Sequence, residues 1–138
     1  MMKRKLDDIL LIDDDMTVNF MHGVIIENEK VTNSFHVTET AEDALKFLSS
    51  NKPDLILLDL NLPKTDGWEF LERYKKMLPA ADRSRIIVLS SSANPDDKKR
   101  AEASPGIAGF YNKPLTKEVL LEIYEDTLKS ISKNNSAD

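Results

Sequence analysis

The residues of this sequence that could carry chemistry stand just after its short apolar runs, at the points where those runs stop. They are carboxylates, hydroxyls and an ammonium: Asp13, Asp14 and Asp15 after the first run, Asp59 after the third, Ser90, Ser91 and Ser92 after the fourth, and Lys113 after the fifth. In an open parallel sheet, ligands bind beyond the carboxyl ends of the strands, near the point where the strand order reverses. If the apolar runs are parallel strands, carboxylates, a hydroxyl and an ammonium therefore converge on one end of one sheet.

The converging groups predict a site for a hard cation. Clustered carboxylates repel one another unless something neutralises them. The chain contains no cysteine, and His22 and His36 have no metal-ligating neighbours, so both histidines are interpreted as structural or surface residues. Oxygen ligands without sulfur or imidazole favour Mg²⁺, which we therefore predict as the cofactor.

The elements that must position these groups alternate along the chain. Five apolar runs occupy residues 9–12, 34–37, 55–58, 86–89 and 107–111. Several of them lack polar alternation, which is typical of strands buried on both faces of a parallel sheet. Helical patterns lie between them, with Thr40, Asp66 and Asn94 as predicted N-terminal caps. The sequence predicts an α/β fold: a doubly wound, five-stranded parallel sheet with helices on both faces.

Length and composition predict one domain and exclude several classes of protein. The 138 residues suffice for a single core, which we place at 8–131, with an N-terminal extension at 1–7 and a disordered tail at 132–138. The net charge of −5 argues against a nucleic acid as the main partner. No segment approaches the ~18 apolar residues of a membrane span, and the first apolar run is too short for a signal peptide. We expect a cytoplasmic protein.

Four motifs, in this order and spacing, resemble the signatures of a response-regulator receiver domain of the single-domain, chemotaxis-regulator type. They are residues 9–14 (ILLIDD), 57–63 (LLDLNLP), 88–91 (VLSS) and the pair 113–114 (KP). Each motif is weak alone, but together they accompany five β-α units over residues 8 to 130. The resemblance implies the flavodoxin-like (βα)5 form of the predicted sheet.

The resemblance also implies an acceptor and a metal site. Asp59 matches the phosphoacceptor, whose carboxylate takes a phosphoryl group from the phosphohistidine of a histidine kinase. Asp13 and Asp14 match the acidic pair that holds Mg²⁺, Asp14 directly and Asp13 largely through water. Asp59 and the backbone carbonyl of Asn61 complete the implied metal ligands. Phosphoryl transfer depends mainly on positioning and charge neutralisation, so this set of groups suits it.

Further roles follow from the same resemblance. Ser90 matches the hydroxyl that bonds a phosphoryl oxygen, and Lys113 matches the ammonium that pairs with it. Phe110 matches the switch aromatic that moves inward with the hydroxyl of Ser90. The family often has Tyr at this position, so any hydrogen bond made by a tyrosine hydroxyl is lost here. Asn61 and Ser92 match two positions that influence the lifetime of the acyl phosphate, and both are small and polar.

Two other functions compete with this interpretation. Residues 9–17 also fit the first motif of haloacid-dehalogenase-like phosphohydrolases, with Asp13 as nucleophile, Asp15 as acid/base and Lys113 in the third motif. That family's fourth motif is absent, however, and residues 57–63 would have no role. A flavodoxin-like cofactor binder is a third option, but no phosphate-binding loop follows the first run.

Expected partners follow from the receiver interpretation. The chain ends after the fifth helical pattern, so we expect no DNA-binding or enzymatic output domain, and no activity beyond self-catalysed phosphoryl transfer and autodephosphorylation. A histidine kinase or phosphotransfer protein would supply the phosphoryl group, and a downstream protein would receive the signal.

The last helix is a candidate interaction surface. Leu120, Ile123 and Ile131 form the stripe expected to cover the sheet. The stripe Leu121, Tyr124 and Leu128 is a candidate contact for a homodimer or partner, unless a broad core face absorbs it.

Overall fold

Five parallel strands form one sheet in the order β2-β1-β3-β4-β5. The structure, a computed structural model, describes residues 4–91 and 94–136, so Ser92 lies outside the described residues. The strands are β1 (Leu6–Ile12), β2 (Thr32–Thr38), β3 (Leu55–Leu58), β4 (Arg85–Ser90) and β5 (Gly109–Asn112). The order reverses between β1 and β3, so the predicted doubly wound α/β sheet is confirmed.

Four α-helices connect the strands, a fifth follows β5, and the three predicted caps are formed. They are α1 (Met16–Glu29), α2 (Ala41–Leu48), α3 (Gly67–Met77), α4 (Pro95–Glu102) and α5 (Lys117–Ser136), with a 3-10 turn at Ala80–Asp82. The side chains of Thr40, Asp66 and Asn94 accept hydrogen bonds from backbone N–H groups of the first turns of α2, α3 and α4. The Asp15 carboxylate caps α1 by accepting from two backbone N–H groups, a role that the sequence analysis missed.

The sheet separates two apolar clusters, because successive side chains of a strand point to opposite faces. Ile9 and Leu11 face α1 and α5, whereas Leu10 and Ile12 face α2 and α3. Arg100 of α4 lies 4.1 Å from the ring centroid of Trp68 on α3, which places α4 on the same face as α3. Helices therefore cover both faces, as the sequence predicts.

The second stripe expected on α5 is not an exposed surface. Leu120 and Ile123 are buried as predicted, but Tyr124 is also buried at 1% exposure, and its hydroxyl donates a hydrogen bond to the backbone carbonyl of Arg4. Leu121 and Leu128 are half-buried and pack against the same cluster. The expectation of an exposed Tyr124 is therefore wrong, because α5 presents a broad apolar face to the sheet.

Regular structure extends beyond the predicted domain limits at both ends. β1 begins at Leu6, which is buried and whose N–H donates to the carbonyl of Val31, so part of the predicted extension 1–7 belongs to the sheet. The helix α5 runs to Ser136, into the predicted tail 132–138, and residues 137–138 lie outside the described part of the chain. Among the described residues, no helix has the length and apolar content that crossing a membrane requires.

Candidate functional site

Backbone hydrogen bonds fix the loops that carry the predicted site residues. The N–H of Asp13 donates to the carbonyl of Thr38 at 3.1 Å, and the N–H of Asp59 donates to the carbonyl of Ile12 at 2.9 Å. The sheet pattern thus continues one residue beyond β1 and β3, so both carboxylates start from rigid backbone. The N–H of Lys113 likewise donates to the carbonyl of Ser90 at 2.8 Å, which joins the ends of β4 and β5.

Three carboxylates meet at this end of the sheet. One oxygen from each of Asp13, Asp14 and Asp59 lies within 4.8 Å of the other two. Asp13 and Asp59 are each only 5% exposed, whereas Asp14 is exposed to solvent. Two buried carboxylates beside an exposed one form an oxygen-rich pocket that opens to solvent on the side of Asp14.

Lys113 joins the two buried carboxylates. Its ammonium nitrogen donates a hydrogen bond to Oδ2 of Asp13 and lies 3.3 Å from Oδ2 of Asp59. Burial acts to lower the pKa of Lys113, but the hydrogen bond to Asp13 and the charge of Asp59 outweigh burial and raise it. The side chain is therefore a permanent cation at neutral pH.

The surroundings of Asp59 disfavour the ionised form of its carboxyl group. Burial raises the pKa of its carboxyl, and the charge of Asp13 adds to that effect. The N–H of Asn61, which donates to Oδ1 of Asp59 at 3.2 Å, and the ammonium of Lys113 partly offset the rise. An additional cation nearby would consequently stabilise the ionised form of Asp59.

The loop after β3 is pressed against the start of α3. The N–H of Gly67 donates to the carbonyl of Leu60 at 2.9 Å. A Cβ atom at Gly67 would lie 2.7 Å from Cα of Leu60, closer than real Cβ atoms approach backbone. Glycine at this position lets α3 support the loop that presents Asp59 and Asn61.

The remaining predicted residues occupy different surroundings. Ser90 ends β4 and is fully buried, in register with Asn112 of β5. Phe110 is half-buried and packs against the cluster on the side of α2 and α3, away from the carboxylates. The structure therefore brings Asp13, Asp59, Asn61 and Lys113 into direct contact, with an oxygen of Asp14 within 4.8 Å of the other two carboxylates. It places Ser90 at the end of β4 and leaves Phe110 outside the cluster of carboxylates.

An open groove borders the pocket on its exposed side. It has a volume of about 470 Å³ and runs from Asp14 along residues 60–63 toward Trp68 and Asp97. Its walls carry several oxygen atoms and one aromatic ring. The groove therefore gives access from solvent to the pocket on the side of Asp14.

Sequence reasoning missed two contacts behind the pocket. The buried amide of Asn19 donates to the backbone carbonyl of Asp13 at 2.7 Å. The ring of His22, for which the sequence left a structural and a surface role open, is buried and accepts a hydrogen bond from the N–H of Leu115 at 3.2 Å. The only signal in the sequence is that both polar residues interrupt the apolar side chains of α1.

Comparison with known proteins gives one consistent result. Residues 9–125 match the family of the response regulator receiver domain. The chain is 32% identical over 114 residues to the gliding motility regulatory protein of Myxococcus xanthus, covering 83% of this chain but 14% of that protein. It is 25% identical over 123 residues to the chemotaxis protein CheY of Halobacterium salinarum, covering 87% of this chain and 95% of that protein.

A solved structure shows the same architecture. The two component response regulator from Cytophaga hutchinsonii superposes with a TM-score of 0.85 at 32% sequence identity, covering 91% of this chain and 99% of that one. The similarity therefore extends over most of both chains.

Proposed function

The chain belongs to the response-regulator receiver family of two-component systems, and from this membership we propose that Asp59 accepts a phosphoryl group from a histidine kinase or a phosphotransfer protein. The comparisons do not support the phosphohydrolase alternative built on Asp13 and Asp15, since the family match includes residues 57–63, which that alternative leaves without a role.

The observation that carries the proposal is the contact of Lys113 with two buried carboxylates. An oxygen of Asp59 attacks phosphorus, the new O–P bond forms as the P–N bond of the phosphohistidine breaks, and the leaving imidazole takes up a proton. The ammonium of Lys113, already 3.3 Å from Asp59, is placed to pair with the negative phosphoryl oxygens. The hydroxyl of Ser90 is the proposed second donor to the phosphoryl group.

The residues of the pocket also fit Mg²⁺. Asp13, Asp14 and Asp59 offer the hard oxygen atoms that this ion prefers, and their mutual repulsion is relieved by a divalent cation. We assign Asp14, Asp59 and the carbonyl of Asn61 as ligands, with Asp13 acting largely through water. When bound, the ion would neutralise negative charge that accumulates on the phosphoryl group.

Signalling would proceed through protein contacts. We propose that a downstream protein recognises the phosphorylated domain, that Phe110 changes position in that state, and that the protein works in the cytoplasm. The α5 surface is not proposed as a homodimer contact, because Tyr124 is buried and Leu121 and Leu128 pack against the core.

Mass spectrometry after incubation with acetyl phosphate and Mg²⁺ tests the proposal. We expect one added phosphoryl group on the wild type and none on Asp59→Asn. Asp54→Asn, at the opposite end of β3, is the matched control and should be modified like the wild type. Modification of Asp59→Asn, or release of many equivalents of phosphate by way of Asp13, would contradict the proposal.

A further inference from the structure

The helix α1 buries two polar side chains on the face that it turns toward the rest of the molecule. Asn19 is 7% exposed and His22 is 3% exposed. They are three residues apart, so they lie on the same side of the helix. Burying a polar group is unfavourable unless it makes hydrogen bonds, so each of these residues must be explained by its contacts.

Asn19 contacts the acidic side of the pocket. Its Nδ2 donates to the backbone carbonyl of Asp13 at 2.7 Å, while Oδ1 of Asp13 accepts from the N–H of Asp15 at 2.9 Å. The other amide atom of Asn19, Oδ1, is buried and has no hydrogen-bond partner among the described residues. The side chain thus keeps its donor contact with Asp13 although its own acceptor is left unsatisfied.

His22 contacts the basic side of the pocket. Its Nε2 accepts from the N–H of Leu115, which is itself buried and follows Lys113 by two residues. The bond requires a ring with no proton on Nε2. Burial lowers the pKa of His22, and the charge of Lys113 lowers it further, so the ring stays neutral.

We propose that Asn19 and His22 are positioning residues for phosphoryl transfer, Asn19 by holding the loop of Asp13 and His22 by holding the loop of Lys113. One rigid helix then sets the relative positions of the carboxylates and the ammonium. The inference rests on the proposed phosphorylation of Asp59, but neither residue touches the reacting atoms.

Different readouts should respond to the two residues. Asn19→Ala releases the Asp13 loop, so the Mg²⁺ concentration needed to reach a given rise in melting temperature should increase roughly tenfold, as is typical when a group that orients metal ligands is removed. His22→Leu releases the Lys113 loop, so the phosphorylation rate at saturating Mg²⁺ should fall roughly tenfold, because small misplacements of reacting groups slow a reaction strongly. Each variant should change its own readout more than the other's, although the contact between Lys113 and Asp13 couples the two loops.

Two further variants separate positioning from general stability. In His22→Gln the amide oxygen can replace Nε2 as acceptor, and it should restore the rate lost in His22→Leu. Thr127→Val removes a buried hydroxyl that donates to the carbonyl of Ile123 within α5, far from the pocket. It should lower the melting temperature without changing either readout. If Asn19→Ala does not fold, Asn19→Ser, whose hydroxyl is too short to reach Asp13, is measured in its place.

The outcomes are distinguishable. A wild type that is not phosphorylated, or an Asp59→Asn variant that is, would refute the proposed function itself. A phosphorylated wild type whose Asn19 and His22 variants match it in both readouts would refute the positioning inference alone. Equal phosphorylation rates for His22→Gln and His22→Leu would also refute it. The same holds if Thr127→Val, at a similar loss of melting temperature, changes the Mg²⁺ dependence and the phosphorylation rate as much as the Asn19 and His22 variants do.

Discussion

At the scale of single residues, Asp59 is a carboxyl group whose surroundings disfavour its charge. It is 5% exposed, shares its pocket with Asp13 and Asp14, and has a pKa raised first by burial and then by the charge of Asp13. Buried carboxylates of this kind lower stability in their ionised form. A cation bound at these carboxylates, as the proposed function requires, would offset this cost.

Replacement of Asp59 by Asn should stabilise the protein in the absence of Mg²⁺. We expect the free energy of unfolding at pH 7 to rise by about 1 kcal/mol, because a buried charge and its repulsion with Asp13 are removed. The pKa of Asp59 in the folded state lies above the usual 3.8 of the unfolded state. Its ionisation therefore begins to lower the stability of the wild type as the pH rises above about 4. The difference in stability between the wild type and Asp59→Asn should vanish below that pH. Urea denaturation at several pH values measures this. Glu125→Gln, exposed on α5, is the control, and a less stable Asp59→Asn at pH 7 would mean that Lys113 fully compensates the charge.

Mg²⁺ should raise the melting temperature through Asp14. A ligand present at 100 times its dissociation constant stabilises the folded state by about 2.7 kcal/mol. Asp14→Ala should lose this gain. The neighbouring Asp15→Ala should be less stable by about 1 kcal/mol, because Asp15 caps α1, yet should keep the Mg²⁺ response. Thermal scans across a Mg²⁺ series distinguish the two variants, and an undiminished response of Asp14→Ala would remove Asp14 from the metal site.

At the scale of elements, the close contact between α3 and the loop after β3 determines where Asp59 lies. The first residue of α3, Gly67, leaves no space for a side chain against Leu60. Replacement by Ala must displace backbone, because the clashing atom is Cα of Leu60 and not the end of a flexible side chain. The loop that carries Asp59 and Asn61 would move with it.

Gly67→Ala should therefore be destabilising and slow to phosphorylate. We expect a loss of about 1–3 kcal/mol in the free energy of unfolding, as for other overpacked sites. Gly106→Ala is the matched control, since a Cβ atom there would meet no described atom within 4 Å beyond its chain neighbours, and it should change stability by less than about 0.5 kcal/mol. Denaturant unfolding gives both values, and equal effects in the two variants would show that the contact with Leu60 is not rigid.

The elements were predictable where side chains are buried on both faces. β3 was predicted at residues 55–58 and is observed at Leu55–Leu58, because all four of its side chains are buried. β2 is an edge strand with mostly exposed or half-buried side chains, so its apolar run was shorter than the strand Thr32–Thr38. Because Asp7 and Asp8 are polar, the apolar run starts at Ile9, whereas β1 starts at Leu6.

The helix α1 shows why the contacts behind the pocket could not be predicted. Its exposed side carries Met16 and Phe20, at 73% and 74% exposure, whereas Asn19 and His22 are buried. Hydropathy alone would bury the opposite face. These two buried side chains bond to the backbone of Asp13, six residues away in the sequence, and of Leu115, 93 residues away, and such contacts appear only in the folded chain.

At the scale of the whole molecule, the site residues were predictable because the sheet imposes a simple rule. Groups that follow parallel strands meet at one end, so Asp13, Asp59 and Lys113 could be placed together from their positions alone. The contact between Lys113 and Asp13 was not predicted, since the resemblance pairs the ammonium with a phosphoryl oxygen. The ammonium bonds to Asp13 and lies 3.3 Å from Asp59, because the buried carboxylates are its neighbouring anions.

The sheet also divides the interior into two clusters with no side chain in common, and energetic independence follows from that division. Leu120→Ala on the α5 side and Leu48→Ala on the α2 side should each lower the free energy of unfolding by about 2–5 kcal/mol. In the double variant the losses should add to within about 0.5 kcal/mol, as for residues without shared partners. Denaturant unfolding of the three variants measures the coupling, and a larger deviation would mean that strain crosses the sheet. Additive behaviour would leave either layer free to accumulate substitutions without compensating changes in the other.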